Sequence, residues 1–189
     1  MLSTRLLLAG VLLFIFAAGA LAQGTPQHFA KEGLSFDYPA GWTLTDESNS
    51  DAQQLSIGRP DSDAQLKVFV HRGKAETPEK FAKAKTAFID PYIKSVNDTF
   101  VSFGGTKPES KPTTVQVGAV QAEGVELSTS LGGEKGGATI AWLPLGDRVV
   151  VLTFLGPNAA LKPAMPVWQM ILGSIKVEPP PPKSGPKKP

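Results

Sequence analysis

In this 189-residue chain the side chains best suited to proton transfer or metal binding near neutral pH are two histidines, His28 and His71; there is no cysteine. The missing thiols exclude disulfides, iron–sulfur clusters, thiolate zinc sites, cysteine nucleophiles and a lipid-modified cysteine. A two-histidine metal centre would have to bring distant positions together. A Ser-His-Asp triad would need one of the same two residues, and no Gly-x-Ser-x-Gly elbow presents a serine. His71 alternates against Leu66, Val68 and Val70, on the face of Lys67 and Phe69, which suits a surface or helix-covered histidine. Asp61 and Asp63 share a turn, but the further ligands of a calcium loop do not follow. Gly132 to Thr139 has the glycine spacing of a phosphate-binding loop, with Ala138 where that chemistry needs lysine. Asn97-Asp98-Thr99 matches a glycosylation acceptor, which matters only in a eukaryotic secretory route. No catalytic, metal-ligating or cofactor-binding residue is therefore expected, and no cofactor. Among the aromatics, Trp142 falls in an alternating strand and Trp168 on a helical stripe, both core positions. Trp42 follows a turn and is the tryptophan best placed for a ligand rim, with Tyr38 and His71 as companions, although core is its more ordinary place.

The elements that would hold these residues are mostly strands. Leu34, Phe36 and Tyr38 alternate with polar residues; Pro39 to Gly41 form a turn, and Trp42 to Leu44 resume an extended segment, which reads as an opening hairpin. Leu55 and Ile57 indicate a third strand and Leu66 to Arg72 a fourth, with a turn at Arg59 to Asp63. A helix starts at Thr77, an N-cap hydroxyl followed by Pro78 and Glu79. Its apolar stripe is Phe81, Ala84, Phe88 and Tyr92, and Pro91 should kink or end it near Asp90 unless Ile93 and Val96 continue it after a bend. A strand around Phe100 to Phe103 and a loop from Gly104 to Pro112 are expected next. Val115 and Val117, Val120 to Leu131, Thr139 to Leu143 and Arg148 to Leu155 read as an antiparallel meander, with turns at Gly132 to Gly137 and Gly146-Asp147. A last helix is expected from Pro163 to Leu172, striped by Met165, Trp168 and Leu172 with Pro166 in its first turn, and a short edge strand from Ser174 to Val177.

Met1 to Arg5 carry a positive charge, Leu6 to Ala18 are apolar, and Ala20-Leu21-Ala22 fits a signal-peptidase site. Residues 1–22 are expected to be a signal peptide, with an uncleaved anchor as the alternative. Residues 23–178 then suit one domain, and 179–189, rich in proline and lysine, a disordered tail that serves as a spacer or a weak contact to anionic surfaces. Hydrophobic residues make up 41% of the chain and charged ones 19%, as in a packed globular protein. Four of the nineteen basic residues lie in the leader (Arg5) and the tail (Lys183, Lys187, Lys188), leaving fifteen against seventeen acidic ones between Gln23 and Glu178. That balance offers no basic face for nucleic acid.

The run Gly33 to Trp42, which ends in Tyr38-Pro39-Ala40-Gly41-Trp42, resembles the opening signature of PsbP-like domains, and the element order from Phe29 to Val177 is similar. The resemblance implies an α+β fold, a PsbP-like α/β sandwich with an antiparallel sheet of about six to eight strands and flanking helices. Its members include a photosystem II extrinsic subunit, a Ran-binding protein and many exported bacterial proteins, and it brings no binding residues onto this chain. The expected role is an exported, periplasmic or secreted, non-catalytic binding or accessory module with a protein partner in the cell envelope. A small-molecule carrier or an enzyme without a recognisable motif are the alternatives. No nucleic-acid partner is expected, nor a membrane span once the signal is cleaved.

Overall fold

Strands that bury side chains on both faces need a layer on each side, and three strands here are of that kind. In the computed structural model, which describes residues 24–178, Ser62–Lys74 (β5), Glu134–Leu145 (β8) and Arg148–Pro157 (β9) form the middle of a seven-stranded antiparallel sheet. The other members are Thr43–Asp46 (β3), Ala52–Arg59 (β4), Glu109–Val117 (β6) and Val120–Leu131 (β7), in the order β3-β4-β5-β9-β8-β7-β6. A second sheet of three strands consists of Gln27–Lys31 (β1), Leu34–Tyr38 (β2) and Lys176–Val177 (β10), with β2 in the centre.

Alternation along β5, β8 and β9 divides the interior into two cores. Leu66, Val68, Val150, Leu152, Phe154, Ala141 and Leu143 face the small sheet and the last helix, Asn158–Ser174 (α3). Leu34 and Phe36 of β2, both fully buried, meet them from the small sheet, and Trp168 of α3 stacks on Phe154 at 5.5 Å. On the opposite face, Ile140, Trp142, Val149, Val151, Val125 and Leu127 pack under a helical layer made of Pro78–Ala84 (α1), a π-helical turn Lys85–Ile89, and Asp90–Ser102 (α2). There the buried Thr153 hydroxyl shares a 2.9 Å hydrogen bond with Tyr92 of α2, and burial pushes the Tyr92 phenol above its ordinary range.

The resulting fold is the α+β sandwich expected from the sequence, but several elements differ from expectation. The Pro39–Gly41 turn does not close a hairpin. β2 pairs with β1 and β10, β3 pairs with β4, and the turn carries the chain from one sheet to the other. Gly41, at φ 82°, supplies the left-handed residue of this turn, closed by the Trp42 N–H donating to the Pro39 carbonyl at 3.3 Å. β1 has no sequence signature because only Phe29 in it is half-buried. The stretch expected as a strand at Phe100–Phe103 is the end of α2, since the helix continues past Pro91. Pro91 cannot donate to the Ala87 carbonyl, and the π turn just before it shifts the hydrogen-bond register. That shift buries Ile89 completely and leaves Phe88, expected in the stripe, 39% exposed. Part of the expected loop is strand: β6 begins at Glu109 and runs through Pro112, which an edge strand tolerates because a missing N–H there costs no ladder bond. The β7–β8 turn is only Gly132-Gly133, so Gly136 and Gly137 lie inside β8. α3 starts five residues before Pro163, and Pro163 and Pro166 both sit inside it. Both prolines are exposed, on the side where water can satisfy the freed carbonyls. Its buried stripe is Ala164, Val167, Trp168, Ile171 and Leu172, and Met165 is exposed instead.

The two sheets are fastened by a polar latch. The β1–β2 turn, Glu32-Gly33, has both residues at positive φ, 51° and 84°. Gln53 of β4, fully buried, donates to the Lys31 carbonyl at 2.9 Å. Arg148 of β9, 9% exposed, donates to both the Gln53 side-chain oxygen at 3.3 Å and the Glu32 carbonyl at 3.2 Å. Around this centre Arg72 pairs with the Glu32 carboxylate and holds it below the usual carboxylate range, and Lys31 with Ser48 lowers Asp46 to about 2. Replacing Arg148 with Met should cost about 1–3 kcal/mol in chemical denaturation by leaving buried acceptors unpaired. Arg59→Met, which breaks the solvent-exposed ion pair with Asp61, should cost less than about 1 kcal/mol.

Candidate functional site

Where α3 leaves the sheet uncovered, the face that is core elsewhere becomes an open groove of about 680 Å³. Its floor follows from strand register. Opposite partners on neighbouring strands point to the same side, so Glu126 with Thr139, Ser128 with Gly137 and Ser130 with Lys135 form three successive rows across β7 and β8. On the outer side, β6 places Glu109 opposite Ser128 and Lys111 opposite Glu126. One wall is the start of α3, through Asn158 and Leu161; the other is the Thr106–Glu109 segment, including Lys107. Thr106 fixes that segment: its N–H donates to the Ser130 carbonyl at 2.9 Å and its carbonyl accepts from Thr129 Oγ1 at 2.7 Å.

Two glycines of β8 beside the groove, Gly136 and Gly137, have no room for a side chain. A Cβ on Gly137 would lie 1.8 Å from the Leu127 carbonyl oxygen, and one on Gly136 would lie 2.6 Å from that of Gly156. Both contacts are to backbone of adjoining strands, so the ladder itself would have to move. Gly137→Ala should therefore destabilise the protein by about 1–3 kcal/mol in denaturant titration, whereas Gly58→Ala, where a Cβ meets nothing within 4 Å, should change stability much less.

Of the residues singled out for a ligand rim, Trp42 and Tyr38 share one core and His71 stands apart from them. Trp42 is 8% exposed and belongs to the core under the small sheet. Tyr38 packs partly against the same core, its hydroxyl donating to Gln27 Oε1 at 3.3 Å, and Gln27 in turn donates to the Trp42 carbonyl at 3.4 Å. His71 lies on the opposite face of the large sheet, its ring 4.0 Å from that of Phe88 on the π turn, and its Nδ1 accepts from the Gly73 N–H at 2.9 Å. His28 pairs with Asp37 at 2.6 Å on the exposed surface of the small sheet. Trp142 is buried, donates from Nε1 to Glu123 at 3.2 Å, and has the Lys85 ammonium 5.6 Å from its ring. Asn97 sits within α2 with its amide donating to the Ile93 carbonyl at 3.1 Å, a helical setting unlike the surface loop of a glycosylation acceptor. Among the described residues no group of three or more histidines and carboxylates is placed to hold a metal ion. No helix among them is long and apolar enough to cross a membrane.

Sequence reasoning passed over the groove. Glu126, Ser128 and Ser130 are the polar half of an alternating strand, and nothing in that pattern separates a groove floor from an ordinary solvated face. A second surface feature was equally hidden. Val101 and Phe103, at the end of α2, are 48% and 71% exposed, and Leu131, beside the Ser130 that holds Thr106, is 47% exposed. All three lie at the end of the molecule that carries the groove, its apolar tip.

No known family profile matches the chain, and no curated protein does. Solved structures do share its architecture. The cyanobacterial PsbP protein CyanoP from Synechocystis aligns over 87% of this chain and 99% of its own length, with 15% identity and a TM-score of 0.54. A protein from Bacteroides thetaiotaomicron aligns over 89% of this chain with 16% identity and a TM-score of 0.53; the chain spans about half of that protein, 52%. At these identities the likeness is one of fold, and the chain has a PsbP-like α+β fold.

Proposed function

We propose that this protein is an exported, non-catalytic accessory module of the cell envelope that works by engaging a protein partner. On this reading residues 1–22 are a cleaved signal peptide, 23–178 the working domain and 179–189 a solvated spacer; both terminal segments lie outside the described residues.

The observation that carries the reading is the apolar tip. Phe103 exposes 71% of its surface, and Val101 and Leu131 about half of theirs, at the end of a domain whose other large apolar side chains mostly fill two well-packed cores. Exposed apolar side chains at one end of a domain, with polar residues such as Thr106 and Lys107 beside them, suit burial against a partner. The aromatic ring is the anchor, since aromatic side chains supply much of the energy at such contacts. The tip is held out by a tight turn, in which Gly104 and Gly105 donate to the Val101 and Phe100 carbonyls, both at 2.9 Å. The PsbP-like fold, shared with the cyanobacterial protein, supports the accessory reading.

A pull-down from envelope extract with the purified protein should retain a specific protein, and Phe103→Ser should reduce its capture at least about tenfold, as loss of a central aromatic anchor does. Equal capture by both forms would move the contact away from the tip, and no specific protein with either form would contradict the reading.

A further inference from the structure

The geometry points to the groove across β6, β7 and β8 as a binding site for short peptides with free ends, whose carboxylate meets Lys107 and Lys135 and whose ammonium meets Glu109 and Glu126. This does not rest on the partner reading, which uses a different surface.

The argument is the segregation of charge along the groove. Lys135 lies opposite Ser130, and Lys107, next to the Thr106 that pairs with Ser130, lines the same end of the groove. One row on, Glu109 flanks Ser128, and two rows on Glu126 lies opposite Thr139. Like charges placed about one strand do nothing for folding and cost a little through repulsion. None of these four side chains forms an ion pair among the described residues, although ten pairs form elsewhere. Lys111 stands opposite Glu126 at the far margin but does not line the groove. A ligand with a negative and a positive end relieves both clusters at once.

Length and shape then select the ligand. From the Ser130 row to the Glu126 row is four residues of strand, about 13 Å. An extended tripeptide spans roughly 10 Å, and the reach of lysine and glutamate side chains closes the difference. Gly137 adds no side chain to the Ser128 row, and the hydroxyls of Ser128 and Thr139 offer partners for a peptide's amides. The volume, about 680 Å³, falls within the usual range for small-ligand sites. No aromatic ring lines the groove on which a sugar could stack, and the two carboxylates oppose a phosphate.

The test is a titration of the purified, isotope-labelled protein with trialanine, N-acetyl-trialanine and trialanine amide, followed by backbone amide shifts. Free trialanine should shift the amides of residues 128–130 and 136–139, and blocking either end should weaken binding about threefold or more, the size of a partly exposed charge contact. Glu126→Gln should reduce the preference for the free amino end and Lys135→Gln the preference for the free carboxyl end, with the remaining spectrum unchanged in each variant. No shift in these residues at trialanine concentrations on the order of 10 mM, or equal binding of all three peptides, would overturn the proposal.

Discussion

The Arg148 guanidinium is shared between two sheets, and the arrangement of the whole domain depends on it. It reaches from β9, in the middle of the large sheet, to the carbonyl of Glu32 in the tip of the β1–β2 turn, and it holds Gln53 in place to grip the neighbouring Lys31 carbonyl. The small sheet needs such a hold. Its strands are five, five and two residues long, and a hairpin of that size has no independent stability in water. Its buried contribution is concentrated in Leu34 and Phe36, which must sit over β5 and β9 for either side to be dry. Burying a guanidinium is costly unless it is paired; here Nη1 donates to two carbonyl-type oxygens, and the Asp147 carboxylate, whose buried Oδ1 accepts no hydrogen bond, stands 3.9 Å from Nε as the counter-charge.

That arrangement also determines where the molecule has free surface. The small sheet and α3 together cover the large sheet only as far as the row of Phe154 and Thr139; beyond it the same face emerges as the groove. On the other face the helical layer covers the middle of the sheet and ends at Ser102, with Val101 exposed in its last turn and Phe103 just beyond it. Both features arise because the covering layers are shorter than the long strands β7 and β8, which have twelve residues each. The apolar tip and the polar groove sit at the same end and differ in chemistry, so a protein contact at one and a small ligand at the other are compatible.

Much of the fold was legible in the sequence because period-two alternation is a direct record of two-faced burial. The meander from β7 to β9, the N-cap at Thr77 and the Tyr-Pro-x-Gly-Trp run all lie where their local chemistry places them. The departures have equally physical causes. The Pro39–Gly41 turn looks the same locally whether it returns a strand to its neighbour or passes it to another sheet; long-range pairing with β10 decides. β1 is almost wholly exposed and leaves no apolar trace. The π turn displaces the helical stripe by a residue, which periodicity read at a constant 3.6 residues per turn cannot register. The groove was illegible because its parts, Lys107, Glu126, Ser128 and Lys135, are ordinary surface residues individually and acquire meaning only through the register of three strands. Trp42, by contrast, was a visible candidate that the structure places in the core as the residue that follows the sheet crossing.

Native-state hydrogen exchange on a Gln53→Leu variant tests the latch most directly. If the latch holds the small sheet to the large one, the amides of β1 and β2 should lose protection while those of β8 and β9 keep theirs, since the variant frees one sheet without emptying either core. Uniform loss of protection across both sheets, or unchanged protection in β1 and β2, would contradict the account.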